Sequence, residues 1–214
     1  MSRRATVLTI VILAIIGFAA AAYFYIGAVE KKAPPINAQS ASNLVRFHSP
    51  TFGPADAPVT VVEFFDPSCE SCRAFYPIVK EMMAKNPGQV RLVLRYVLLH
   101  PGSEQAVRLL EASRKQGVFA QVLEAVLASQ PGWHDDPQVA KAWEAAEAAG
   151  LDVKKAREEM MSAKIDAVLA QDTADAKAVG VSGTPTFFVN GKPLPEFGAQ
   201  PLYDLIKSEI AQAK

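Results

Sequence analysis

The longest uninterrupted apolar stretch covers residues 5 to 29, ATVLTIVILAIIGFAAAAYFYIGAV, and carries no charged side chain. About twenty such residues suffice to cross a hydrocarbon core of about 30 Å as a helix, so residues 1–29 are predicted to form an N-terminal transmembrane helix of the signal-anchor kind. Arg3 and Arg4 precede the stretch and favour the cytoplasmic side, which puts the remainder of the chain outside the cytoplasmic membrane. A cleaved secretory signal ending in the small residues Ala19 to Ala22 is the alternative, and it would leave a soluble periplasmic protein. Such signals usually have an apolar region of about 7 to 15 residues, and here Tyr23-Phe24-Tyr25-Ile26 prolongs it. Residues 30–44, EKKAPPINAQSASNL, show no hydrophobic period and read as a solvated, flexible tether.

From residue 45 the periods change. Val45-Arg46-Phe47 is predicted as a short edge strand, followed by a turn-rich connection at Gly53 to Pro58. Val59 to Phe65, VTVVEFF, is short, β-branched and nearly continuous in apolarity, as expected of a central strand buried on both faces; Glu63 is its anomaly. Residues 69–85 then repeat apolar positions Phe75, Ile78, Val79, Met82 and Met83 at helical spacing, with Pro77 inside, and residues 90–99 return to strand character. From Ser103 to about Gly180 the texture becomes Ala, Glu, Lys, Leu and Gln at helical period, broken at Gly117, Pro131-Gly132 and Gly150. Four or five helices are expected there, two of them started by Asp136-Pro137 and by Asp152. Thr186 to Val189 reads as a strand, Asn190-Gly191 as a hairpin turn, Lys192 to Leu194 as the return strand, and Gln200 to Ala213 as a closing helix. The result is an α/β domain over residues 45–214 with a mixed central sheet and an all-helical insertion at about 103–180.

Composition narrows the chemistry. Lys plus Arg equals Asp plus Glu at 22 each, and no long basic block stands out, so nucleic acid is not an expected partner. The two cysteines, Cys69 and Cys72, are too few for a multi-bridge scaffold and too close to staple a loop, which leaves a local reactive pair. A zinc site would need about four ligands, and His48, His100 and His134 are scattered without paired spacing; plain structural or surface roles are expected for them. There is no Gly-rich phosphate loop and no organic cofactor is implied. Trp133, Trp143, Met82, Met83, Met160 and Met161 are assigned to helix packing.

Cys69-Glu70-Ser71-Cys72 follows a buried strand and opens a helix, so Cys69 should stand where unpaired backbone N–H groups favour a thiolate. Cys69 is then the attacking sulfur, and Cys72, one turn deeper, resolves the mixed disulfide.

The stretch APVTVVEFFDPSCESCRAFYP, with VSGTPTFFVNGKP about 110 residues later, resembles the DsbA-like thiol-disulfide oxidoreductases of the thioredoxin superfamily. The resemblance spans most of residues 45–214. It implies a thioredoxin-like fold, a nucleophile at Cys69, a resolving thiol at Cys72, and a cis-proline loop at Thr184-Pro185 that pairs with extended substrate segments. It also implies a buried acid at Glu63, raised in pKa by burial and suited to exchanging protons with Cys72. Glu70 and Ser71 stand between the cysteines where strongly oxidising members commonly hold Pro-His; a carboxylate beside Cys69 is expected to oppose the thiolate and make the couple less oxidising. The implied partners are exported cysteine-containing proteins and a membrane redox partner, either a quinone-linked oxidase or an electron-donor reductase, with the direction of electron flow open between oxidase, isomerase and reductase. Two other classes compete: a Cu(I)-handling periplasmic protein, since two thiolates suit that soft ion, and a peptide-binding chaperone that uses the surface around Pro185.

Overall fold

The computed structural model describes residues 43–213 continuously, together with residues 13, 15, 17 and 18, which are helical. The predicted membrane span and all of the tether except Asn43 and Leu44 otherwise lie outside the described residues. Among the described residues no helix is long and apolar enough to cross a membrane.

Five strands form one mixed sheet in the order β1-β3-β2-β4-β5: β1 (Thr51–Phe52), β2 (Val59–Phe65), β3 (Val90–Tyr96), β4 (Thr186–Val189) and β5 (Lys192–Pro193). β2 and β3 are parallel because helix α1 (Glu70–Lys85) carries the chain back between them, and the other pairings are antiparallel. The insertion supplies α2 (Ser103–Lys115), α3 (Phe119–Ser129), a 3-10 turn at Gln130–Gly132, α4 (Ala140–Ala148), α5 (Val153–Glu159) and α6 (Ala163–Ala178); α7 (Ala199–Gln212) follows the hairpin. The thioredoxin-like arrangement expected from the sequence is therefore the one observed.

Side chains alternate across a strand, and here the alternation sorts β2 and β3 onto two faces. Val59, Val61, Phe65, Leu92, Leu94 and Tyr96 join the large core with Cys72, Tyr76 and Val79 of α1. Val62, Phe64 and Val93 face a smaller core with Leu44, Ala176 and Phe188. Glu63 falls in the odd-numbered set, so the pleat aims its carboxylate toward the side occupied by α1, and its register partners Leu94 and Phe187 flank it with apolar strands.

Several boundaries move for identifiable reasons. Residues 45–47 are not a strand: Arg46 pairs with Asp175 at 2.7 Å and Leu44 is buried, so this segment is held by side chains while Thr51–Phe52 takes the edge beside β3. Gly53 makes that entry possible, because at φ 89° a Cβ there would lie 2.6 Å from the Val90 carbonyl oxygen. β3 stops at Tyr96, since the N–H of Leu99 turns to the Asp66 carboxylate. Asp136 accepts from the N–H groups of Gln138 and Ala140, forming a turn that delays α4 to Ala140, whereas Asp152 caps α5 directly through Lys155 N–H. The return strand ends at Pro193, and Met161, expected in the packing, is exposed while Met160 is buried. Asn190 and Gly191 both take positive φ, as the two-residue hairpin requires.

Candidate functional site

The site is built where β2 hands over to α1. Cys69 is the N-cap of α1 in extended backbone conformation, and Cys72 lies within the first turn, fully buried. Two buried polar residues shape the loop before it. The Asp66 carbonyl accepts from Cys69 N–H at 3.0 Å, and the Gln130 amide donates to the carbonyls of Pro67 and Cys69 at 2.7 and 3.0 Å. Arg73 donates to Gln130 in turn, at 3.0 Å, so α1 and the 3-10 turn of the insertion are joined directly at the site.

The Thr184–Pro185 bond is cis and brings the start of β4 against the cysteines: Cys69 Sγ lies 3.3 Å from the Thr184 carbonyl oxygen. Beside it a groove of about 330 Å³ is lined by Ser71, Gly183, Thr184, Pro185, Leu194, Phe197 and their neighbours. Phe197 is exposed and stacks at 4.7 Å on Phe75, which also meets Phe187 at 5.6 Å, so the groove has an aromatic wall.

The two thiols are held in opposite states. Cys69 is lowered to about 5, first by a hydrogen bond from the Cys72 thiol, against the opposing effect of burial, and then by the Thr184 hydroxyl and the backbone N–H groups of Cys72 and Ser71. Among the described residues the buried Thr184 hydroxyl makes no hydrogen bond of full geometry. Cys72 is driven far above the ordinary thiol range by burial, by its bond to Cys69 and by Glu63, with only Asp66 N–H pulling the other way. Glu63 is fully buried, neither carboxylate oxygen has a hydrogen-bond partner among the described residues, and burial, aided by the Cys69 charge, raises it to about 8.

The structure thus brings Cys69, Cys72, Glu63, Thr184 and Pro185 into one neighbourhood. Ser71 borders the groove, while Glu70 turns outward, its side chain 68% exposed and 3.9 Å from His134. An exposed carboxylate is screened by water, whereas the donors at the helix start are fixed, so the effect expected of Glu70 on Cys69 is a small one. Asp66, Gln130 and Arg73 are site residues that the sequence alone does not single out. The one available signal was Asp66-Pro67 directly before the motif, a turn pair whose carboxylate could have been expected to bind nearby N–H groups. Among the described residues no group of three or more His, Cys, Asp or Glu is arranged to hold a metal ion.

Titration of the reduced protein by thiolate absorbance is expected to give an ionisation near 5 that vanishes in Cys69→Ser. In Cys72→Ala, which deletes the leading donor, it should move upward toward the ordinary thiol range. An ionisation left unmoved by Cys72→Ala would show that the helix start alone holds the thiolate.

A family model described as Thioredoxin matches residues 47–204. The chain is 30% identical to a thioredoxin-like oxidoreductase from Silicibacter pomeroyi, with a TM-score of 0.70 over 83% of this chain and 99% of that one. It is 25% identical to oxidised BdbD from Bacillus subtilis, with a TM-score of 0.68 over 76% of this chain and 93% of that one. It is also 38% identical over 143 residues to the Na(+)/H(+) antiporter NhaA 3 of Salinispora tropica, a match that takes in 65% of this chain but 21% of the antiporter. The chain spans about a fifth of the length of the curated relatives it matches.

Proposed function

Because this chain belongs to the thioredoxin family and has its DsbA-like form, we propose that it is a thiol-disulfide oxidoreductase acting on exported proteins through Cys69 and Cys72. The observation that carries this reading is the Cys69 sulfur at the start of α1, 3.3 Å from the Thr184 carbonyl and lowered to about 5. A thiolate at neutral pH is the species that attacks disulfides, and a thiol of low pKa is also the better leaving group.

In the reducing direction the Cys69 thiolate attacks a substrate disulfide. A Cys69–substrate bond forms, the substrate S–S bond breaks, and the departing thiolate takes a proton from solvent. Cys72 then loses its proton through water, with the buried Glu63 carboxylate as the final acceptor, and attacks Cys69 Sγ. The intramolecular disulfide forms as the second substrate thiolate leaves, so the protein loses two electrons and the substrate gains them. Oxidation of a substrate dithiol runs through the same steps in reverse. A Glu63 carboxyl raised to about 8 can hold or release that proton near neutral pH, and its charge acts on the buried Cys72 thiol. The groove beside Pro185 suits an extended substrate segment, with backbone groups of Thr184 as its pairing edge and the Phe197 wall for apolar side chains.

The apolar span at residues 5–29 supports a catalytic domain held outside the cytoplasmic membrane, served by a membrane partner that is either a quinone-linked oxidase or an electron donor. The similarity to part of an antiporter agrees with work beside a membrane.

Equilibrating the full chain in glutathione and dithiothreitol buffers tests the reading. A reversible two-electron couple is expected, and because the lowered thiol stabilises the reduced form, its potential should lie above about −270 mV, the thioredoxin value. A potential at or below that value would favour a reductase, and the absence of any reversible dithiol couple would overturn the proposal.

A further inference from the structure

Asp66 touches both halves of the redox pair without belonging to it. Its carbonyl oxygen accepts from Cys69 N–H at 3.0 Å, and its own N–H donates to Cys72 Sγ at 3.5 Å. The side chain between these two backbone groups is fully buried and saturated with donors. Oδ1 accepts from Ser68 N–H at 2.8 Å; Oδ2 accepts from Leu99 N–H at 2.9 Å and Ser103 Oγ at 2.7 Å and meets His100 Nδ1 at 2.8 Å. Three of these four partners lie on the segment that leaves β3 and enters α2, so the carboxylate locks the end of β2 to a second, separate stretch of chain. A carboxylate held from four sides fixes the peptide planes on either side of it, and the plane that matters is the one aimed at Cys72.

We propose that Asp66 is a positioning residue for the second half of disulfide exchange: its anchored carboxylate holds the Asp66 N–H on the Cys72 sulfur, where it stabilises the thiolate that must form to release the substrate. The proposal rests on the exchange reading above and adds a step-specific role to it. Cys72 is buried, and burial opposes its ionisation; a fixed backbone donor is the available counterweight, and unlike a side chain it contributes only while its peptide plane is held. The Asp66 side chain touches neither sulfur and acts only by holding its own peptide group, whose N–H meets Cys72 Sγ.

The test uses the reduced full chain with glutathione disulfide. Cys69 attacks, one glutathione leaves as thiol, and a Cys69–glutathione mixed disulfide forms. Cys72 then loses its proton and attacks Cys69 Sγ, the second glutathione leaves, and the protein disulfide closes. Rapid acid quenching with mass analysis follows the mixed disulfide, and alkylation by iodoacetamide reads the reactivity of Cys69 by itself. In Asp66→Asn, one carboxylate oxygen is replaced by an NH2 group that faces at least one N–H or O–H donor whichever way the amide lies; closure is expected to slow about tenfold, so that mixed disulfide accumulates, while Cys69 alkylation stays within about twofold of wild type. Ser103→Ala, which removes one of the four partners and keeps the carboxylate, should slow the same step by about twofold to fivefold. It decides the matter if Asp66→Asn does not fold.

Equal slowing of attack and closure would mean that Asp66 merely supports the loop and would overturn the role. So would closure at the wild-type rate in both variants, or faster closure in Asp66→Asn, which would show that the charge rather than the anchoring acts on Cys72. A wild-type protein that forms neither the mixed nor the internal disulfide would remove the exchange reading itself, an outcome distinct from wild-type exchange with unaffected variants.

Discussion

Cys69→Ser is expected to bring disulfide exchange down to background, a loss on the order of a thousandfold or more, because a serine hydroxyl supplies no thiolate at neutral pH. Cys72 does not substitute for it. That sulfur is fully buried and its ionisation is opposed by burial and by Glu63, so once Cys69 is gone there is neither access nor charge. Cys72→Ser should behave differently, completing the attack and stopping at a stable mixed disulfide. Stopped-flow reaction with a chromogenic aromatic disulfide separates the two. Residual exchange in Cys69→Ser within tenfold of wild type would place the nucleophile at Cys72 and invert the assignment.

Arg95→Met should cost roughly 3 to 5 kcal/mol of folding stability, the range for removing one partner from a buried ion pair. Arg95 stands on β3 with no exposed surface, on the face away from the cysteines. Its guanidinium donates to Asp172, to Asp175 at 2.6 Å, and to the carbonyls of Asn43 and Leu44 at 2.6 and 2.9 Å. Methionine matches its length and is apolar, but it leaves two buried carboxylates to Arg46, His48, Gln171 and the Tyr96 N–H, and the Asn43 and Leu44 carbonyls without a donor among the described residues. Lysine would not restore the arrangement, because a point charge cannot span four acceptors in one plane. The midpoint of urea unfolding measures the loss, and a change below about 1 kcal/mol would show that the cluster contributes little net stability. The cluster also fixes an acid limit. Burial would raise Asp175, but its hydrogen bonds to Arg46 and Arg95 prevail and hold it at about 2. Its folded value thus lies below the unfolded one of about 3.9, so its contribution is complete above about pH 4 and fades as pH falls toward 2.

These two groups of residues differ in how far they could be read in advance. The cysteine pair announces itself locally: a buried strand, a turn pair, two thiols and a helical period stand consecutively, and each step has a short-range physical cause. The Asn190-Gly191 hairpin and the Asp152 cap were legible for the same reason. Glu63 was visible as a charge in an apolar strand, although its lack of any hydrogen-bond partner among the described residues is a property of the packed core. Arg95 carries the same kind of signal, a charge inside an apolar strand, but nothing near it in the sequence supplies a partner. Its partners are 77 and 80 residues away on a helix full of charges, and nothing local distinguishes Asp172 and Asp175 from solvated neighbours. The misplaced edge strand has this origin too: Val45 to Phe47 has strand-like composition, but the ion pair of Arg46 with Asp175 and the burial of Leu44 override the local preference. Asp66 and Gln130 act through backbone groups of other segments, and sequence spacing alone does not reveal such contacts.

The sheet closes with two residues of β1 on one side and two residues of β5, one of them Pro193, on the other. An unpaired strand edge is a template for any extended chain that meets it, including a second copy of the same protein. On the exchange reading proposed above, the groove would take extended segments of other proteins, and such a molecule works in a crowd of such chains. Edges this short, with a proline that has no N–H to offer, make self-assembly into fibrils or aggregates along the sheet unfavourable.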